Sequence, residues 1–180
     1  MATLKTIGSG EVQAAIERLA TAILRRHPDP RGLLLLGIAN GGTELTCRLA
    51  RRIGALAGTL DISFHRDDVG RNPIPHEFSP THIPADVHGA TVILVDDVLF
   101  SGRTVKAALD ELFDHGRPTK VELAILVDRG GRRLPFAPDY CGLSLATSED
   151  EKIFVKLDPT DPRRDSIRLA PASAKIKSAI

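Results

Sequence analysis

Residues 92–104 read V-I-L-V-D-D-V-L-F-S-G-R-T, from Val92 to Thr104. The four apolar, mostly β-branched residues 92–95 have the length and composition of a strand buried on both faces of a parallel sheet. Asp96 and Asp97 follow at once, which puts two carboxylates at the carboxyl end of that strand, the edge where open α/β sheets hold ligands. Ser101, Gly102 and Thr104 then offer hydroxyls and backbone N–H groups in a short loop, and an apolar pattern of helical period runs from Val105 to Leu112. Such a loop at a helix N-terminus is a cradle for an anion. Carboxylates repel a phosphate but accept hydrogen bonds from sugar hydroxyls, so acids followed by an anion cradle describe a ribose 5-phosphate. The bland alternative is a buried strand and a solvated acidic turn that caps a helix.

The same strand–loop–helix order occurs earlier. Leu33 to Ile38 is a continuous apolar run of strand length, residues 39–43 (A-N-G-G-T) make a tight loop, and Leu45, Leu49 and Ile53 mark the next helix. Gly41 and Gly42 would let backbone amides approach a ligand, or serve only to make the turn. Upstream, Val12, Ile16, Leu19 and Ile23 recur at helical spacing, with Ser9 as the expected cap and Pro28 beyond the end. Downstream, Leu60, Ile62 and Phe64 alternate with polar residues and predict a strand with one less buried face. Between 69 and 87 no periodicity survives, and Pro73, Pro75, Pro80 and Pro84 exclude a regular helix, so residues 67–88 are expected to form a lid or a passive surface loop. His115-Gly116-Arg117-Pro118 stops the helix after the central motif, Val121 to Val127 is the next apolar strand, and residues 140–145 and 152–157 predict two more. From Asp158 to residue 180 the chain is weakly patterned and is expected to be a C-terminal extension.

At 180 residues, with 42% hydrophobic and 26% charged residues, the chain suits one domain with one sizeable core. A net charge of +1 argues against a polycation for indiscriminate nucleic-acid binding. Cys47 and Cys141 belong to no C-x-x-C pair, which suggests neither a zinc site nor a disulfide framework and fits a reducing cytoplasm. With no signal-like N-terminus and no run of eighteen apolar residues, neither export nor a membrane partner is expected.

The string at 92–104 resembles the signature of the type I phosphoribosyltransferases. The resemblance implies an α/β fold of that type: a central, mostly parallel sheet flanked by helices, with a flexible hood or lid insertion. It implies that Asp96 and Asp97 hold the 2′ and 3′ hydroxyls of phosphoribosyl pyrophosphate, that residues 100–104 (Phe100, Ser101, Gly102, Arg103 and Thr104) hold its 5-phosphate, and that Val98 and Leu99 join the substrate-binding residues. Asn40, Gly41, Gly42 and Thr43 would receive the pyrophosphate, and the lid would exclude water from the activated sugar. Three further strings narrow the family: L-D-I-S-F-H-R-D-D-V at 60–69, H-G-R-P at 115–118 and L-V-D-R-G-G-R-R-L-P-F-A-P-D-Y at 126–140 resemble segments of the PyrR proteins. That likeness runs from about Leu33 to Asp158. It implies a uracil phosphoribosyltransferase, a glycosyltransferase that makes UMP from uracil with Mg²⁺ carried by the substrate and no metal site of its own, and a homodimer or higher homo-oligomer. Arg129 would meet the pyrimidine and Arg66 the pyrophosphate in the catalytic group, although either arginine could instead be a structural ion-pair partner. PyrR proteins usually carry Thr-Arg-Gly where this chain has Asn40-Gly41-Gly42. The absent guanidinium predicts weaker stabilisation of the leaving group. Phe100 and Ser101 stand where the family commonly has Tyr and Thr, which keeps a hydroxyl in the phosphate loop.

Two other readings stay open. One is a regulator of pyrimidine genes that senses UMP or UTP, binds their mRNA and has lost much of its catalysis. Arg18, Arg25, Arg26, Arg129, Arg132 and Arg133 are its candidate basic residues, against only 4% aromatics for base stacking. The other is a phosphoribosyltransferase for a different nucleobase.

Overall fold

Continuous apolar runs become strands here because both faces of the sheet are covered. The computed structural model describes residues 5–65 and 80–171. Five strands, β2 (Leu33–Ile38), β3 (Leu56–Leu60), β4 (Thr91–Leu99), β5 (Lys120–Asp128) and β6 (Tyr140–Ser144), form one sheet in the order β3-β2-β4-β5-β6. Every neighbouring pair is parallel. All six residues of β2 are buried. Its alternate residues feed two cores, since successive side chains of a strand point to opposite faces. Leu33 and Leu35 join Ile93 and Val95 under α1 (Ser9–Arg26) and α2 (Gly41–Ile53), with Ile16, Leu19 and Leu49 packed on them. Leu34 and Leu36 join Val92 and Leu94 on the other face, against Val105, Ala108 and Leu112 of α3 (Arg103–Asp114). These layers are the expected α/β arrangement.

Three expectations need correction. Ser9 is the first residue of α1 and not its cap; Gly8 holds that position in extended backbone, and no side chain caps the end. The strand expected over 60–64 lies four residues earlier, at Leu56–Leu60. Asp61 Oδ1 accepts from the backbone N–H and the hydroxyl of Ser63, which turns the chain, and Phe64 is left 72% exposed. The tail is not patternless: β8 (Ser166–Pro171) pairs antiparallel with β1 (Lys5–Ile7) and with β7 (Glu151–Lys156) to make a second sheet. β1 and β8 come from opposite ends of the chain, so no local signal announced their pairing. Of the expected lid, residues 67–79 lie outside the described residues; in 80–88, His82 bridges Thr59 of β3 and Val87 is buried. Residues 172–180 also lie outside the described set.

The second sheet is fastened to the first layer by one buried cation. Arg48 of α2 pairs with Asp165, donates to the Asp158 carbonyl and meets Glu44 Oε1 at 2.6 Å. Asp165 also accepts from Gln13 and from the Asp158 N–H. Both charged groups are nearly fully buried, so each depends on the other for solvation. Removing one partner of such a pair leaves an uncompensated charge. Arg48→Met is therefore expected to cost about 3 kcal/mol in urea unfolding, with part of it recovered in Arg48→Met/Asp165→Leu; an unchanged midpoint for the single variant would contradict the fastening role.

Candidate active site

The sheet winds in two directions from its middle. The chain passes from β2 through α2 to β3 on one side, and from β4 through α3 to β5 on the other, so β2 and β4 are neighbours whose following connections diverge. That divergence opens a crevice at the carboxyl edge, the general ligand position of such sheets. Pairing of β4 with β2 stops at Val95, opposite Gly37, whereas pairing with β5 continues to Leu99, opposite Asp128. Asp96 and Asp97 therefore lie toward the carboxyl end of β4, as the sequence suggested, where it has lost one neighbour; the strand itself runs on to Leu99. A cleft of about 420 Å³ sits over them. Its wall brings together Ala39 and Gly41 from the first loop, Asp96, Asp97 and Val98 from β4, and Ser101, Arg103 and Thr104 from the second loop. Ile38 and Ile62 complete it, and neither was anticipated.

Asp96 is only 6% exposed, and its Oδ1 accepts from the backbone N–H of Asp97 at 2.9 Å. Burial, together with the neighbouring Asp97 charge, pushes the Asp96 carboxyl well above the usual carboxylate range. Burial pushes Asp97 up as well. Two desolvated acids side by side gain from any ligand that donates hydrogen bonds or brings positive charge.

The loops flanking the acids differ in construction. In the first, α2 begins at Gly41, so the loop is only Ala39 and Asn40, and Gly41, Gly42 and Thr43 form the first helical turn. A Cβ on Gly42 would overlap the Val95 carbonyl oxygen, so only glycine lets the helix start this close to β4. A Cβ on Gly41 would stand 2.7 Å from Asp97 Oδ1. Asn40 is exposed and caps nothing with its side chain, while the Thr43 hydroxyl is buried without a hydrogen-bond partner. In the second loop, Gly102 has φ of +90° and sits at the cap of α3, a conformation that favours glycine. The Ser101 carbonyl accepts from the N–H groups of Arg133 and Leu134, each at 3.0 Å, and Arg132 donates to the Phe100 carbonyl. Arg132 is itself held by Asp128. The segment after β5 thus braces the loop, a role that needs contacts across some thirty residues and leaves no sequence signal.

Arg129 lies outside the cleft wall but beside it. It is 7% exposed, its guanidinium stacks 4.1 Å over the Phe100 ring, and its backbone N–H donates to Leu99. One guanidinium nitrogen reaches the Ser148 carbonyl, while Nε is buried with no partner. A buried orphan donor of this kind calls for an acceptor from outside the chain. Leu99 is buried beneath the loop. Arg66 lies outside the described residues. Of the other candidate basic residues, Arg26 pairs with Glu122 and Asp139, Arg133 with Glu149, and Arg18 donates to the Gly142 carbonyl.

Acids at the switch point beside a capped anion loop define a class, and a family model described as "Phosphoribosyl transferase domain" matches residues 8–158. A solved hypoxanthine phosphoribosyltransferase of Trypanosoma cruzi superposes with a TM-score of 0.64 at 21% identity, covering 91% of this chain and 94% of that one, which shows the shared fold. Two curated relatives carry the name bifunctional protein PyrR. The one from Roseiflexus sp. (strain RS-1) is 40% identical, covering 97% of this chain and 98% of its own. The one from Deinococcus radiodurans is 44% identical over 86% of this chain and 88% of its own. The chain belongs to the PyrR family. No helix among the described residues is long and apolar enough to cross a membrane.

The raised Asp96 carboxyl has a consequence for stability. An acid whose pKa is higher in the folded than in the unfolded state costs stability when ionised, and that cost is relieved as pH falls through the folded-state pKa. Asp96→Asn keeps the Oδ1 acceptor for the Asp97 N–H and removes the buried charge. The expected result is a higher Tm than the native protein at neutral pH, with the difference shrinking in acid; a lower Tm throughout would contradict the electrostatic picture.

Proposed function

We propose that the protein is a uracil phosphoribosyltransferase that also senses uridine nucleotides as a regulator of pyrimidine genes. The single observation that carries the catalytic half is the cleft itself, in which a desolvated acid pair and a glycine-capped loop at the N-terminus of α3 share one wall. In this reading Asp96 and Asp97 accept hydrogen bonds from the ribose hydroxyls of phosphoribosyl pyrophosphate, and the loop from Phe100 to Thr104 holds its 5-phosphate. The first turn of α2, with Asn40 and Thr43, meets the pyrophosphate. The bond from the ribose carbon to pyrophosphate breaks, a bond to uracil N1 forms, and the N1 proton passes to the departing pyrophosphate or to water. Arg129 meets the pyrimidine by resemblance, with Phe100 fixing the plane of its guanidinium. Arg66 belongs to the catalytic group by resemblance alone.

A buried carboxylate beside a half-buried one is a fitting donor set for Mg²⁺, which would keep its waters and take the remaining oxygens from substrate phosphates. Bound with the substrate, Mg²⁺ supplies neutralisation of the departing pyrophosphate. The work left to the chain is positioning: the acids orient the sugar, and the two loops set the distance between its ends. The reading takes residues 1–180 as one phosphoribosyltransferase domain in a homodimer or larger assembly. It sets the protein in the cytoplasm, where the free thiols of Cys47 and Cys141 are at home.

The regulatory half draws on the PyrR relatives, with pyrimidine-gene mRNA as the partner. Gly41 favours a division of labour between the halves. It offers no guanidinium to the leaving group, while the acids and the phosphate loop needed to hold UMP are complete. The expected outcome is slow turnover of uracil with UMP affinity intact, and loss of turnover by at least about 100-fold in Asp96→Asn/Asp97→Asn. No positive φ bars a side chain at position 41, but Asp97 must turn aside to admit one. Gly41→Ala therefore controls for that movement. Gly41→Arg should exceed Gly41→Ala in turnover by about tenfold or more. Rapid native turnover, unimproved by arginine, would remove the functional meaning of Gly41; faster use of another base than of uracil would overturn the substrate.

A further inference from the structure

Away from the cleft, the turn after β3 meets the last turn of α3 through titratable groups that the phosphoribosyl reading leaves unused. His65 Nε2 lies 3.2 Å from Glu111 Oε2 and 3.3 Å from Asp114 Oδ2. The three donor atoms all lie within 4.8 Å of one another, the one such group of three among the described residues. Glu111 and Asp114 are three apart on α3, so the helix places both on one face. His65 is held opposite them by a backbone hydrogen bond to the Ile62 carbonyl at 3.0 Å.

The other oxygen of Glu111 is fixed from outside the trio. Glu111 Oε1 accepts from the Thr81 hydroxyl at 2.6 Å and contacts His115 Nε2 at 3.1 Å. The Thr81 hydroxyl in turn accepts from the Asp61 N–H at 2.9 Å. Oε1 is thereby committed to orienting the carboxylate, and Oε2 is turned toward His65. Carboxylates whose second oxygen is held by outer partners are the usual pattern around bound metals.

The spacing of the trio is one that a shared ion can bridge. Donors that share one ion at bond lengths of about 2.0–2.2 Å stand roughly 3.3 Å apart in tetrahedral geometry. The His65 contacts, at 3.2 and 3.3 Å, are compatible with that spacing. We propose that His65, Glu111 and Asp114 form a site for a borderline divalent transition metal such as Zn²⁺, with water completing the coordination. One imidazole with two carboxylates suits Zn²⁺, Co²⁺ or Ni²⁺ and is unlike the oxygen-only surroundings that Mg²⁺ prefers. The site therefore differs in chemistry, as it does in place, from the acids of the cleft.

Its position gives it a structural task. Ile62, three residues before His65, lines the cleft, and so do Arg103 and Thr104 in the first turn of the helix that carries Glu111 and Asp114. A metal at the far end of α3 ties the turn below Ile62 to that helix and stiffens two walls of the cleft together.

Co²⁺ is the probe, added to tag-free full-length protein freed of metal by chelation. Visible absorption reports coordination, and thermal unfolding reports stabilisation. The expected result is one Co²⁺ bound per chain with a visible band, and a rise in Tm of roughly 5–10 °C at a hundredfold excess over Kd. His65→Ala and Asp114→Asn should each weaken binding by at least about tenfold, a loss that even outer partners of a metal can cause. Asp96→Asn/Asp97→Asn should leave the band and the Tm rise in place. Asp114 is largely exposed, so its variant tests the site without threatening the fold. Absence of stoichiometric binding, or binding that survives both substitutions and so belongs to Cys141 or scattered surface groups, would overturn the proposal.

Discussion

Asp96 and Asp97 are two like charges in a place that favours neither, and the architecture around them exists to keep them there. A buried carboxylate beside another costs free energy that folding alone does not return. The cost is confined to one point because β4 has lost β2 as a neighbour at Val95 and keeps β5 as far as Leu99. The acids are therefore carried on a rigid strand, yet face the opening between diverging connections. A loop would hold them less precisely in space, and a strand paired on both sides would leave a ligand no room.

Close packing converts that point into a site. Gly42 lets α2 begin against the Val95 carbonyl, which brings Gly41 up to Asp97. On the other side, the segment after β5 clamps the carbonyls of Phe100 and Ser101, so the glycine-capped loop is set by contacts and not by its own preferences. Arg129 belongs to the same brace, stacked on Phe100 with one donor left over. Farther out, Arg48 and Asp165 hold the second sheet to α2, whose first turn is part of the cleft wall. Stability and ligand geometry are thus joined through a single helix.

Much of this was legible in the chain, for physical reasons that also explain what was not. Residues 33–38, 92–95 and 121–127 read as strands because burial on both faces forces unbroken apolar runs. The acids and the loop after them were legible because strand, charge and small residues follow one another within a dozen positions. The strand at Leu56–Leu60 was misplaced because Ile62 and Phe64 imitate alternation while Asp61 turns the chain. Ser166–Pro171 was missed because it carries only two large apolar residues, although it pairs with the nearby Glu151–Lys156, and Lys5–Ile7 because so short a strand acquires meaning only from a partner far along the chain. Arg48 with Asp165 and Arg132 with Phe100 were invisible for the same reason, since an arginine's sequence neighbours do not say which carbonyl or carboxylate it will reach.

The central claim is that the buried acids read sugar hydroxyls. The most direct measurement compares calorimetric affinities for UMP and for its 2′-deoxy counterpart, which differ by one hydroxyl and share phosphate and base. A hydrogen bond to a charged group is worth about 1.5–3 kcal/mol, so the deoxynucleotide should bind roughly 10- to 100-fold more weakly, and the gap should close in Asp96→Asn/Asp97→Asn. Equal affinities for the two nucleotides in the native protein would contradict the account.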